Sequence, residues 1–390
     1  MMSQPIETEL YSVILEHIRE QGDAGLSFAD FMQLCLYEPQ YGYYMQNRER
    51  IGKEGDFFTS SSVHAVFGAL LARQLEQMYS ILGQPVTFTV VEQGAGEGHL
   101  ALDILTELQT HAPECYVALD YCIIEISPEN RKRQAELLRA HECVRWSTFE
   151  QVEAVHGCFI SNELVDAFPV HVVERHKGVL YEVRVVEKAG YLVEKLVPAS
   201  DHIVAHFTRL GVQPAEGCRA ELCPAAAVWM EQVAAKLKHG FVVTLDYGYP
   251  AAELYAPFRR HGTLMCYSRH SANDNPYQMV GEQDITAHVD FTLLQQSGTT
   301  AGLETLYFGE QYRFLMGLGF VEELMRLQTQ KEDPSEALAL RMTLKNLIMP
   351  DNGMGETFKV LIQGRGVGSP ELLCSRSMAD IAAQFSMDAL

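Results

Sequence analysis

Between residues 86 and 169 the chain repeats one rhythm: a short apolar run, an amphipathic stretch, another apolar run. VTFTVVEQG reads as a strand and GHLALDILTELQTHA as a helix. YVALDYCIIEIS holds a second strand, SPENRKRQAELLRAH a second helix, and GCFISNELVDAFP a third strand with its exit loop. Strands that alternate with helices need crossover connections, and these build a parallel sheet with a helix layer on each face. The expected fold class is therefore α/β: a Rossmann-like, mostly parallel, doubly wound sheet with helices on both faces.

The flanking segments follow other periods. Leu10, Val13, Ile14 and Ile18 recur at helical spacing, a second helix is expected over 27–36, and a third over about 62–82. Between them lies YEPQYGYYMQNRERIGKEGDFFTSS, a long stretch of glycine, tyrosine and charge. Long loops in compact domains tend to be lids or binding loops. After Pro169 the βα rhythm breaks. VHVVERHKGVLYEVRVVEKAGYLVEKLVP alternates like antiparallel hairpins, with turns at HKG and KAG. AAVWMEQVAAKLKHG then reads as a helix and FVVTLDYGY as a buried strand, with LETLYF and FKVLIQG as later strands. The expected organisation is a helical region with a lid loop over 1–84 and a ligand-binding sheet domain over 85–369. That domain would carry a β-rich insertion at about 170–225 and a helical insertion at about 309–355, followed by a helical tail over 370–390.

Composition excludes several classes. Of 390 residues 47% are hydrophobic and 21% charged, an ordinary globular balance, and the formal net charge is −21. So acidic a chain repels bulk nucleic acid. No run of about 18 apolar residues suggests a membrane span. The acidic start MMSQPIETEL resembles neither a secretory signal nor a transit peptide, so a cytoplasmic location is expected. The nine cysteines are scattered without a CxxC pair, which points to reduced thiols and to no bound metal.

At residues 90–100 the first strand runs into its turn as VVEQGAGEGHL. In an open parallel sheet, ligands lie at the carboxyl ends of the strands, and glycines there let the backbone approach them. The next strand ends in IIEIS, which places Glu125 at its carboxyl end with Ile126 beside it. A carboxylate there can accept hydrogen bonds from both hydroxyls of a ribose. The plainer alternative is a surface glutamate at the start of the helix that begins with Ser127-Pro128-Glu129-Asn130. A triphosphate loop would need GxxxxGK[ST], and a dinucleotide site GxGxxG. This turn has neither; it carries Glu92 and Glu97, which disfavour a pyrophosphate and suit a cationic ligand. S-adenosylmethionine, with a sulfonium and an ammonium, fits best, with Glu92, Gly94, Gly96, Gly98, Glu125 and Ile126 as its candidate contacts.

The third strand runs into SNELVD, so Asn162 and Glu163 are expected to face the reactive end of that ligand. Glu163 and Asp166 place two carboxylates in one loop, and paired carboxylates match a guanidinium fork or hold an ammonium. Alternatively, Asp166 caps a turn before Pro169 and Glu163 is solvated. GDFFTSS, with Gly55 and Thr59, could close over the cofactor, or Phe57 and Phe58 could merely pack beneath a loop. GEQDITAHVDF could bring His288 and Asp290 to a substrate, or Asp284 could cap a helix.

GDFFTSS, VVEQGAGEG, SNELVDAFPV, VVTLDYGY, DITAHVDFT and FKVLIQG, in this order, resemble the MidA-like methyltransferases over about residues 5–365. The resemblance implies a class I S-adenosylmethionine methyltransferase fold with an N-terminal helical extension, an inserted β-rich part and C-terminal helices. It also implies symmetric arginine dimethylation for the mitochondrial members. The expected acceptor here is a protein side chain, most plainly arginine, with Asn162, Glu163 and Asp166 orienting it and Asp290 as a further candidate. This lid continues TSSSVH where the family has TSPE, and the turn is EQGAGEG where the family often has ELGPGRG. The expected partners are a protein substrate, with a respiratory-complex subunit as one candidate, and a second copy in a homodimer; the acidic start suits a bacterial member. Other readings stay open: a cofactor-binding assembly chaperone, a small-molecule methyltransferase, or a nicotinamide-linked oxidoreductase.

Overall fold

The alternating runs become a sheet whose order reverses between its first and fourth strands. A computed structural model of the chain describes residues 8–46, 64–269, 271–330, 333–349, 355–377 and 379–380. The central strands are β1 (Phe88–Gln93), β2 (Leu119–Ile124), β3 (Val144–Ser147), β4 (Val155–Asn162), β5 (Leu237–Tyr249), β6 (Glu304–Glu310) and β7 (Phe358–Arg365). They lie in the order β6-β7-β5-β4-β1-β2-β3. Neighbours from β5 to β3 are parallel, and β7 runs antiparallel between β5 and β6. This is the mostly parallel sheet that the rhythm of the sequence demands.

The chain divides into two units. The sheet unit holds residues 58–164, 230–247 and 297–390. Alternate strand residues such as Val90, Ile123, Ile160 and Val243 point to one face, as a pleat of period two requires. There they pack with Phe67, Leu70 and Leu71 of helix Val66–Ile81 and with Ile104 and Leu105 of helix His99–His111. Each such side chain, fully buried, stabilises the fold by ~1.5–3 kcal/mol. Sequence reading passes over β3, because four residues at a sheet edge, with only Ser147 buried, carry no apolar signature.

The other unit holds residues 1–57, 165–229 and 248–296. Strands His171–His176, Val179–Lys188, Tyr191–Pro198 and Arg219–Leu222 pair antiparallel, and Leu26–Ser27 adds a further edge on Val179–Lys188. The expected turns fall at Lys177-Gly178 and Ala189-Gly190, where all four residues have positive φ, the geometry of tight two-residue hairpins. Helices Glu9–Gln21 and Phe28–Tyr37, capped by Thr8 and Ser27, bury Leu10, Ile14, Phe28 and Phe31 with Val172, Val183 and Val185. In the DITAHVDF segment, Asp284 does not cap a helix: it lies in strand Asp284–Thr286, paired with Met265–Ser268. The helix begins later, at Phe291.

No helix among the described residues is long and apolar enough to cross a membrane. All nine cysteines are free, seven of them buried. Of the expected C-terminal helical tail, residues 381–390 lie outside the described residues, and Leu373–Ser375 is a short 3-10 turn.

Candidate cofactor and acceptor site

The glycine turn leaves β1 beside the reversal of strand order, where open sheets bind ligands. Gly94 has φ 75°, and its N–H donates to the carbonyl of Ile124 (3.0 Å). A side chain at Gly94 would press on the exit of β4, since its Cβ would lie 2.9 Å from Leu164 Cδ1. The turn closes with the Gly98 N–H on the Ala95 carbonyl (2.9 Å), and helix His99–His111 follows. The result is bare backbone on the cofactor side.

Glu125 follows the last residue of β2. Its carboxylate accepts the Ser127 N–H (2.8 Å) and a Gln134 amide N–H (3.3 Å). Burial pushes this carboxyl up, and the bonds from Ser127, Asn130 and Gln134 oppose the shift. Ser127 itself caps helix Pro128–Leu137 through its hydroxyl. The helix-start reading is thus met mainly by Ser127, and Glu125 is held in a fixed orientation at the strand end. Ile126 beside it is 58% exposed, an apolar side chain left open next to the acid.

Glu92, which the sequence offers as an acid suited to a cationic ligand, does not stand open in the turn. It is buried, its Oε2 accepts the Tyr121 hydroxyl (2.8 Å), and desolvation pushes its carboxyl up to about 7. Glu97, by contrast, has its charge met within the protein, for Arg133 pairs with it at 2.6 Å and His99 stands 3.7 Å away.

A titration follows. Below pH 7 Glu92 is mostly neutral, and a cationic ligand favours its ionised form. If Glu92 faces the cofactor ammonium, affinity for S-adenosyl-homocysteine, which keeps that ammonium, should rise up to ~10-fold between pH 6 and pH 8. The variant Glu92→Gln should flatten the profile in calorimetry; a wild-type profile without slope removes Glu92 from the cofactor site. For folding the sign is reversed. A carboxyl raised in the folded state contributes stability at low pH, and this is lost as pH rises through about 7.

The candidate acceptor residues start at the end of β4. Asn162 Nδ2 donates to Glu163 Oε1 (3.2 Å), and the buried Asn162 Oδ1 has no partner among the described residues. Glu163 has φ 51°, a left-handed conformation that costs a non-glycine residue ~1–3 kcal/mol. Two bonds hold it there: the Glu163 N–H to the Leu245 carbonyl (2.9 Å), and the Leu164 N–H to Asp246 Oδ2 (3.2 Å). Asp246, fully buried near the end of β5, is missed by sequence reasoning. Its signal is present, since LDYG ends an apolar run on an acid just as VVEQG and IIEIS do. Gln134 and Tyr121, which grip Gly96, Glu125 and Glu92, carry no such signal.

Glu92, Gly94, Gly96, Gly98, Glu125, Ile126, Asn162 and Glu163 all belong to the sheet unit, at the carboxyl ends of β1, β2 and β4. Asp166 and Asp290 belong to the other unit. Asp166 lies buried in turn Val165–Ala167, which is fixed by the Ala287 N–H on the Asp166 carbonyl (3.0 Å) and by the Tyr37 hydroxyl on the Ala167 carbonyl (2.8 Å). Asp290 Oδ1 accepts the Leu293 N–H (3.0 Å) at the start of helix Phe291–Thr300, and burial pushes its carboxyl up to about 6. His288 packs on Tyr249, ring centres 5.5 Å apart. Gly55 and Thr59, with Phe57 and Phe58, lie outside the described residues, as does most of the lid.

A sheet of this order, a bare turn after β1, a carboxylate after β2 and a polar β4 exit define a class I S-adenosylmethionine-dependent methyltransferase. The chain belongs to the MidA-like family of these enzymes: residues 70–309 match the model of the family described as "Putative S-adenosyl-L-methionine-dependent methyltransferase". It is similar to a COG1565 superfamily member from Burkholderia thailandensis bound to S-adenosyl-homocysteine. The two share 32% identity, with 96% of this chain and 98% of that one covered, at a TM-score of 0.85. It is also similar to the mitochondrial protein arginine methyltransferase NDUFAF7 of Bos taurus, 26% identical with 92% of this chain and 85% of the relative covered. The Danio rerio protein of that name is 27% identical, with 89% and 85% covered. The residues present fit the family's cofactor: a turn with glycine at every second position, an oriented carboxylate, an open isoleucine and the orphaned Asn162 oxygen.

Proposed function

We propose that this methyltransferase modifies a protein, and that its acceptor is a guanidinium nitrogen of arginine. The observation that carries the reading is Glu163, a carboxylate held in a strained left-handed conformation on the loop that packs against Gly94. Strain of this kind persists where the surrounding structure over-determines it, and it clusters at active sites. Relatives of similar length that are named protein arginine methyltransferases support the same acceptor.

S-adenosylmethionine, when bound, supplies a methyl group on a sulfonium and leaves as the thioether. This chain's residues do the rest. Glu92 and Glu125 hold and orient the cofactor, and Asn162 Oδ1 accepts a hydrogen bond at the acceptor end. An arginine side chain is protonated when free, with its charge spread over three nitrogens. Glu163 localises that charge on the nitrogen distal to the attack. The nitrogen that gains the methyl loses one proton; one oxygen of Glu163 holds the distal nitrogen and the other receives that proton. Orientation and charge placement contribute more here than a strong base would. Asp166 and Asp290 are the further proposed carboxylates, carried by the other unit.

The test is transfer of an isotopically labelled methyl group to a host lysate, followed by mass spectrometry of the labelled residue. Methyl-arginine in a protein is the expected result. Label in small molecules alone would replace the acceptor class, and no label at all would favour a cofactor-binding assembly factor. Glu163→Gln should lower transfer by ~100-fold or more, in the range of a lost acid–base group, with S-adenosyl-homocysteine affinity within about twofold of wild type. Transfer at the wild-type rate would remove Glu163 from the reaction.

A further inference from the structure

Gln134 lies in helix Pro128–Leu137, is fully buried, and belongs to neither the glycine turn nor the strand ends. Its side-chain amide nevertheless touches both halves of the cofactor site. Nε2 donates to the Gly96 carbonyl at 2.7 Å and to Glu125 Oε2 at 3.3 Å. Its stem covers the next glycine, so that a Cβ at Gly98 would lie 3.1 Å from Gln134 Cγ. The remaining face of the amide is fixed as well, because Trp146 Nε1–H donates to Gln134 Oε1 at 2.8 Å. Trp146 sits on the short edge strand β3, whose pairing with β2 aligns it with Ile123. An amide with its oxygen committed to an indole can present only its nitrogen to the site.

We infer that Gln134 is a positioning residue. Oriented by Trp146, it sets the spacing between the backbone that takes the methionine end of S-adenosylmethionine and the carboxylate that takes the ribose. It needs no contact with the cofactor to do so. A carboxylate with one bond on each oxygen is fixed in rotation and keeps its remaining lone pairs in set directions, and the Gly96 carbonyl, once bonded, holds the turn in its left-handed course. The edge strand thereby acquires a purpose, since β3 carries the indole that fixes the amide oxygen.

The inference rests on cofactor binding, so affinity is the primary readout. In the full-length protein, Gln134→Met keeps the stem that covers Gly98 and removes both donors. Calorimetry should show S-adenosyl-homocysteine bound ~10-fold more weakly, the scale of one to two lost hydrogen bonds. The KM for S-adenosylmethionine should rise by a similar factor, while kcat at saturation stays within about twofold; a merely structural role would not split the two constants. Trp146→Phe leaves Gln134 in place but frees its amide, and should weaken binding by ~3-fold. The double variant should be no weaker than Gln134→Met alone, because the indole acts only through the amide. If Gln134→Met fails to fold, Trp146→Phe decides the matter. Wild-type affinity in whichever of these variants folds, or additive losses in the double variant, would overturn the assignment.

Discussion

Replacing Glu125 with alanine should abolish measurable binding of S-adenosyl-homocysteine. The carboxylate stands at the carboxyl end of β2, fixed by the Ser127 N–H and the Gln134 amide. A charged acceptor is worth ~1.5–3 kcal/mol per hydrogen bond, so two ribose hydroxyls lost together cost ~3 kcal/mol or more, at least ~100-fold in affinity. The variant also strands the donors of Ser127 and Gln134, which adds to the loss. Glu125→Gln separates charge from shape: it keeps one acceptor oxygen and should fall between wild type and alanine. Calorimetry with S-adenosyl-homocysteine checks all three proteins. An alanine variant that binds as tightly as wild type would show that the ribose lies elsewhere.

The second large effect concerns the sheet beneath the site. Gly157 lies near the start of β4, paired with Thr89 of β1 on one side and Gly240 of β5 on the other. Its φ is 155°, and a Cβ there would sit 2.0 Å from the Thr89 carbonyl oxygen, which is backbone and cannot step aside. Gly240 has the same difficulty against Gly157 itself, at 1.9 Å. Gly157→Ala should therefore part β1 from β4 at the reversal of strand order, at the end of the sheet away from the glycine turn. The expected cost is ~3–5 kcal/mol, in the range reserved for severe backbone clashes. Thermal or urea unfolding checks it, and soluble protein of wild-type stability would mean that the strand can shift in register to absorb the methyl group. A nearby control such as His156→Ala, on an exposed side chain, should change stability by less than ~0.5 kcal/mol.

Much of the cofactor side is legible in the sequence because it is local. A strand, its turn and the helix after it lie within about twenty residues, and the acids that end VVEQG and IIEIS follow from apolar runs that stop abruptly. What those acids do is less legible. Glu92 and Glu97 look alike on paper, yet one is buried on Tyr121 and the other is neutralised by Arg133. Both partners come from other elements, which no spacing rule brings together. Asp290 shows the same limit: VDF offers a carboxylate for a substrate, and nothing in its spacing tells that this carboxylate accepts the Leu293 N–H at the start of a helix.

By itself, then, the sequence determined the alternation of strands and helices apart from the edge strand β3, the glycine turn, the acid that follows β2 and the family to which these belong. Each depends on neighbours in the chain and on the pleat or the helical turn. Only the tertiary structure decided that helix Phe28–Tyr37 shares a core with strands far along the chain, that Leu26 pairs with Val185, and that a glutamine and a tryptophan on separate elements meet behind the glycine turn. The reason is physical. Local pattern records which face of an element is apolar, whereas partners are chosen by packing and hydrogen bonding between residues whose separation in sequence leaves no periodic trace.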